Sequence, residues 1–199
     1  MQIKRGSILI FVVLLVAMLP VEARDERTGS FVGLSWGQTN YETSSNSIAP
    51  SNCGGGIPCN LSESSDMWKV FGGYRANDWF ACEGALRSFG EAKGSLADRT
   101  FTLDGNALDL YLRGGAPVGP VDLFVKLGVS WIDGEYSQVC TAGCVSGKAD
   151  FGRSSLSGGL GIIGNIGKVG LRLEWEAYNN TSFSRTDVFS IGIQYRFGR

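Results

Sequence analysis

The chain has 199 residues, enough for one domain and too few for two of ordinary size, and 18 basic against 19 acidic residues leave a net charge of −1. That balance excludes a nucleic-acid binder, which needs a strong basic bias. Glycine is frequent, at 29 residues, while histidine is absent, which removes the commonest general base and metal ligand together.

At the start, Lys4 and Arg5 precede an apolar run, Ile8 to Leu19, that is short for a transmembrane helix. Pro20 breaks it, and Val21-Glu22-Ala23 offers small residues at the two positions a signal peptidase reads. This is the layout of a secretory signal peptide, with an uncleaved anchor helix as the competing reading. The expected boundaries are therefore 1–23 for the signal and 24–199 for one β-barrel domain. Removing the signal leaves 16 basic and 18 acidic residues.

From there the pattern is alternation with a period of two, the mark of strands with one apolar face. In the first strand Val32, Leu34 and Trp36 oppose Gly33, Ser35 and Gly37. The second sets Trp68, Val70, Gly72 and Tyr74 against Lys69, Phe71, Gly73 and Arg75. After a turn at Ala76-Asn77-Asp78, Phe80, Cys82, Gly84 and Leu86 oppose Ala81, Glu83, Ala85 and Arg87. A fourth strand carries Leu108, Leu110 and Leu112 against Asp109, Tyr111 and Arg113.

Ala116–Pro120 is built from turn formers. Beyond it Leu123, Val125, Leu127, Val129 and Trp131 alternate with Asp122, Phe124, Lys126, Gly128 and Ser130. A Gly-rich sixth strand follows, with Leu156, Gly158, Leu160 and Ile162 on one side. The seventh sets Val169, Leu171, Leu173 and Trp175 against Gly170, Arg172, Glu174 and Glu176. The eighth sets Phe189, Ile191, Ile193, Tyr195 and Phe197 against Ser190, Gly192, Gln194 and Arg196.

Eight strands of roughly ten residues match what a tilted strand needs to cross a bilayer. Connections after the second, fourth and sixth are short. The others are longer, most of all near 42–66 and 134–152, as in outer-membrane barrels with their long loops outside the cell. A soluble barrel would also alternate. However, its narrow interior would have to hold the large Leu, Trp and Phe side chains, while the Gly, Ser and charged residues would face water. The expected fold is thus an all-β, eight-stranded antiparallel up-and-down transmembrane barrel, charges inside. Trp36, Trp68, Trp131 and Trp175 fall at long-loop ends of strands and Trp79 beside a short turn, an aromatic girdle at the two lipid–water boundaries.

The segment Phe71-Gly72-Gly73-Tyr74-Arg75, through the next strand to Glu83, resembles the second hairpin of the outer-membrane protein A transmembrane domain. Leu171-Arg172-Leu173-Glu174-Trp175 resembles it too, and Ser190 to Gly198 is the nearest match. The resemblance implies a barrel in the bacterial outer membrane with periplasmic chain ends and an interior cluster that blocks or gates a narrow water path. Carried over by motif position, that cluster is Glu83, Arg113 and Arg172, with Lys126 and Glu174 as neighbours. Where the family often has another inward acid on the sixth strand, this chain has Gly161. No peptidoglycan-binding domain is expected after Arg199. The closing strand resembles the signal read by the barrel assembly machinery.

Cys53 and Cys59 share the first long loop, and Cys140 and Cys144 the third. Disulfides are expected in an exported chain, either within each loop or between them, and a zinc site is the weaker alternative. Without His, no Ser–His or Asp–His catalytic site can be assembled, so neither catalysis, a metal nor a cofactor is expected. Expected partners are outer-membrane lipid and lipopolysaccharide, the assembly machinery during biogenesis, and an extracellular ligand of the long loops. Two roles fit: a structural or surface-contact barrel plugged by ion pairs, or a narrow gated pore for ions or small solutes.

Overall fold

The computed structural model describes residues 28–42, 62–96, 99–140, 147–179 and 185–197. They form eight strands: β1 (Gly29–Glu42), β2 (Ser62–Arg75), β3 (Phe80–Leu96), β4 (Arg99–Val118), β5 (Val121–Cys140), β6 (Gly147–Ile166), β7 (Val169–Asn179) and β8 (Arg185–Arg196). Each pairs antiparallel with its chain neighbours, and β8 returns to β1 to close the barrel, with Leu34 opposite Ile193. Closure leaves no strand edge in the membrane-crossing wall.

The side-chain alternation follows the expected inversion. Leu127 is 68% exposed on the outer wall, whereas Lys69 and Arg172, on the opposite face of their strands, are fully buried. Val125, Leu171, Leu173, Ile191 and Ile193 continue the apolar outer wall. Strand length departs from expectation. β4, β5 and β6 each have 20 residues, and β3 has 17, well beyond the roughly ten that span hydrocarbon.

Pairing between β5 and β6 runs unbroken from Val121↔Gly164 up to Gln138↔Gly147. Most of the segment expected as a loop at 134–152 is therefore paired strand. The hairpins continue past the lipid boundary because polar side chains such as Asp133 and Lys148 do not interrupt backbone pairing in water. On the other side, two-residue turns at Gly119-Pro120 and Gly167-Lys168 bring each glycine to a φ near +60°.

One glycine inside a strand has a comparable constraint. Pairing between β3 and β4 slips between Ser88 and Glu91, and Gly90 within that bulge has φ +72°. A Cβ there would also stand 2.0 Å from the Asp66 carbonyl oxygen on β2. Gly90→Ala is expected to destabilise the barrel by about 1–2 kcal/mol or more. Gly164→Ala, where a Cβ meets nothing within 4 Å, serves as the neutral control. Urea unfolding in lipid vesicles, followed by tryptophan fluorescence, measures the difference.

Candidate functional site

The inward positions of β2, β3, β4, β5 and β7 converge on one layer of charge. Glu83, Arg113, Lys126, Arg172 and Glu174 all lie in this layer, and all are buried. Arg172 grips Glu83 with two hydrogen bonds, Nη1 to Oε2 at 2.7 Å and Nη2 to Oε1 at 3.0 Å, and reaches Glu174 at 2.9 Å. Such a fork fixes direction as well as distance. Lys126 pairs with Glu174, with Glu176 at 2.6 Å and with Glu83 at 3.5 Å. Arg113 stands apart, 3.6 Å from Glu83.

Four further residues complete the layer. Lys69 from β2 bonds Glu174 at 2.6 Å and Glu176 at 3.0 Å. Arg87 from β3 bonds Glu176 at 2.5 Å and Asp109 at 3.2 Å. The alternation already placed Lys69, Arg87, Asp109 and Glu176 on the polar face. What it lacked was the height of each strand in the wall, which decides who meets whom.

Apolar and aromatic groups close the layer from both sides. Toward the short turns, the Phe71 and Phe124 rings face the Arg172 guanidinium at 4.5 and 4.7 Å, and Phe31 faces Arg113 at 4.9 Å. Toward the long loops, Met67, Phe89, Ala107, Ile132, Tyr178 and Val188 form a second buried cluster. Between the two, the Tyr111 and Tyr178 hydroxyls approach to 3.2 Å. Arg75 and Asp122 pair at 2.8 Å nearest the short turns, and Asp122 also accepts from Asn165.

Gly161 now has a structural explanation. It is the β6 partner of Phe124, and a Cβ there would fall 2.5 Å from the Phe124 ring. The aromatic ring occupies the space into which a longer side chain on β6 would point. Gly33 makes the same allowance for Phe71, at 2.3 Å.

On the outer surface, Trp36, Trp68, Trp79 and Trp131 are exposed, Trp175 is half-buried, and Trp36 faces Trp68 across the β1–β2 pair. Cys82 is a free, exposed thiol on the outer wall. Cys53, Cys59 and Cys144 lie outside the described residues, as does the side chain of Cys140, which ends β5. Among the described residues no group of His, Cys, Asp and Glu side chains could hold a metal ion.

A family model for the outer membrane protein beta-barrel domain matches residues 9–197. The chain belongs to that family. Its place is accordingly the bacterial outer membrane. Among solved structures, Neisserial surface protein A is similar, with a TM-score of 0.61 and 14% identity, over 85% of this chain and 97% of that one. The outer membrane protein OprG of Pseudomonas aeruginosa gives 0.56 and 14%, over 86% and 97%. Ail, the attachment invasion locus protein of Yersinia pestis, solved with the heparin analogue sucrose octasulfate, gives 0.54 and 14%, over 85% and 99%. At these identities the likeness concerns the fold alone. No curated protein sequence matches the chain.

In this outer-membrane barrel, cutting one partner from the core strands a buried charge, which typically costs about 3–5 kcal/mol. Arg172→Met is expected to lose stability on that scale. Adding Glu83→Gln should cost less than the two single effects summed, because the carboxylate left unpaired by the first change is already neutral. Urea denaturation of all four forms of the cycle measures the coupling.

Proposed function

We propose that this protein is a structural and surface-contact barrel of the outer membrane, its interior plugged rather than conducting and its role non-enzymatic. One observation carries the reading: nine charged side chains interlock across the barrel between two apolar caps. An ion crossing would have to part several buried bridges at once, and in a narrow eight-stranded barrel the packed side chains leave little room for water. The residues named as cluster or gate, Glu83, Arg113, Lys126, Arg172 and Glu174, then act as a lock on the wall.

The surface that does the work is the part of β3 to β6 standing above the membrane, together with the long connections. Ail's sulfated ligand does not transfer readily to these strand ends. They expose Glu91, Asp104, Asp133 and Asp150 beside Lys93, Lys148 and Arg153, a slight acidic excess that disfavours a polyanion. Lipid and lipopolysaccharide meet the apolar outer wall with its tryptophan girdle. The assembly machinery reads the closing strand during biogenesis, and disulfides between Cys53, Cys59, Cys140 and Cys144 brace the loops. Residues 1–23 direct export and are removed, so N-terminal sequencing of protein from outer membranes is expected to begin at Arg24.

Planar-bilayer recording of the purified protein tests the plug directly. No discrete openings are expected, and Arg172→Glu should lower the temperature of heat-modified gel migration without creating a defined channel. Discrete openings in the wild type whose conductance Arg172→Glu alters would replace the plug with the narrow pore.

A further inference from the structure

The wall that meets lipid is not evenly filled. On β5, β6 and β7 most outward positions carry Leu, Val, Ile or Trp, but one registered pair, Gly158 and Ala177, carries at most a single side-chain carbon. Leu127 is the β5 partner of Gly158, and Leu156 with Asn179 forms the next outward pair toward the long loops. These five residues border a hollow of about 290 Å³ on the outer surface. Ser157 and Tyr178, the rest of its lining, are buried because their side chains alternate toward the lumen.

The hollow lies at the outer lipid–water boundary. Trp175 is one outward step nearer the short turns than Ala177, and Trp131 is two outward steps nearer the long loops than Leu127. Its two sides differ in chemistry. On the β5 and β6 side, Leu127 and Leu156 stand exposed. On the other side, the register sets Asp187 of β8 directly opposite Ala177 on the same outward face. Residues paired in this way have Cβ atoms about 5 Å apart. Asn179 is exposed at the end nearer the loops. The row Leu127, Gly158, Ala177, Asp187 therefore runs from hydrocarbon contact to a carboxylate.

We propose that this hollow holds one acyl chain of phosphatidylethanolamine, with the lipid's ammonium headgroup beside Asp187. Inside a bilayer no hydrophobic gain favours one apolar surface over another. A chain settles here because a hollow left unfilled forfeits the dispersion contacts of its lining. The headgroup then decides which lipid stays. An ammonium meets the carboxylate favourably at the boundary, whereas an anionic headgroup or the phosphorylated sugars of lipopolysaccharide meet it unfavourably. The site is continuous with the lipid-facing wall and separate from the lumen, so it stands whether the barrel is plugged or conducts.

Native mass spectrometry tests it on the protein isolated from outer membranes and exchanged into detergent. Phosphatidylethanolamine, phosphatidylglycerol with identical acyl chains, and purified lipid A are added separately. One phosphatidylethanolamine is expected to stay bound at collision energies that strip the other two. Ala177→Leu fills the hollow and should lower the retained fraction about tenfold. Asp187→Asn keeps the hollow and should bring the two phospholipids to equal retention. Gly114→Leu is the control: it lies on the outer wall of β4, where a Cβ meets nothing within 4 Å, and should retain the lipid as the wild type does. Wild-type retention of phosphatidylglycerol or lipid A equal to that of phosphatidylethanolamine overturns the proposal, as does phosphatidylethanolamine retention that survives Ala177→Leu. Should Ala177→Leu fail to fold, the headgroup comparison between the wild type and Asp187→Asn decides.

Discussion

The pairing of β8 with β1 is the constraint on which the rest depends. It matches twelve residue pairs from Phe31↔Arg196 to Glu42↔Arg185 and turns a sheet into a closed wall. Without it, two rows of backbone N–H and C=O groups would face hydrocarbon, each unsatisfied group costing several kcal/mol as an order of magnitude. Closure also divides the alternating side chains into two environments with nothing between them. The apolar set must then face lipid, and the charged set is confined with itself.

Confinement explains the composition of the inner layer. A carboxylate brought alone into such a space would be strongly disfavoured, so cations and anions arrive together and in forked or shared contacts. Glu176 illustrates the sharing, since Lys69, Arg87 and Lys126 all converge on it. The space they occupy is created by small residues on neighbouring strands. Gly33 lies beneath Phe71 and Gly161 beneath Phe124, so the rings lie against the wall and form the floor on which the ionic layer rests.

Much of this was legible in the residues. Strand number and the side each residue faces follow from a period of two combined with a closed wall, whereas the grouping of Glu83, Arg113, Lys126, Arg172 and Glu174 is implied by the resemblance to the outer-membrane protein A barrel. The reach of β3 to β6 was not legible, because Asp133, Gly134 and Gly152 read as loop formers while backbone pairing in water tolerates them. Nor was the second apolar cap. Met67, Phe89, Ile132 and Tyr178 come from four separate strands, and only the stagger of those strands brings them to one height. The Gly90 bulge, which shifts the upper part of β3 against β4, depends on a backbone angle that glycine permits without announcing it.

The ionic core differs in kind from the hairpins around it. Each hairpin joins strands adjacent in the chain and can form early from local contacts. The bridges, by contrast, join Lys69 to Glu174, Arg87 to Glu176 and Arg172 to Glu83, with separations of 105, 89 and 89 residues. They link β2 and β3 to β7 across the lumen rather than along the wall. Contacts of such range form late, after most of the chain is ordered. Before closure these same charges would be stranded at a water–lipid boundary, and after it they satisfy one another. The core therefore adds little to any open intermediate and much to the closed one, which makes the final pairing of β1 with β8 cooperative with assembly of the lumen.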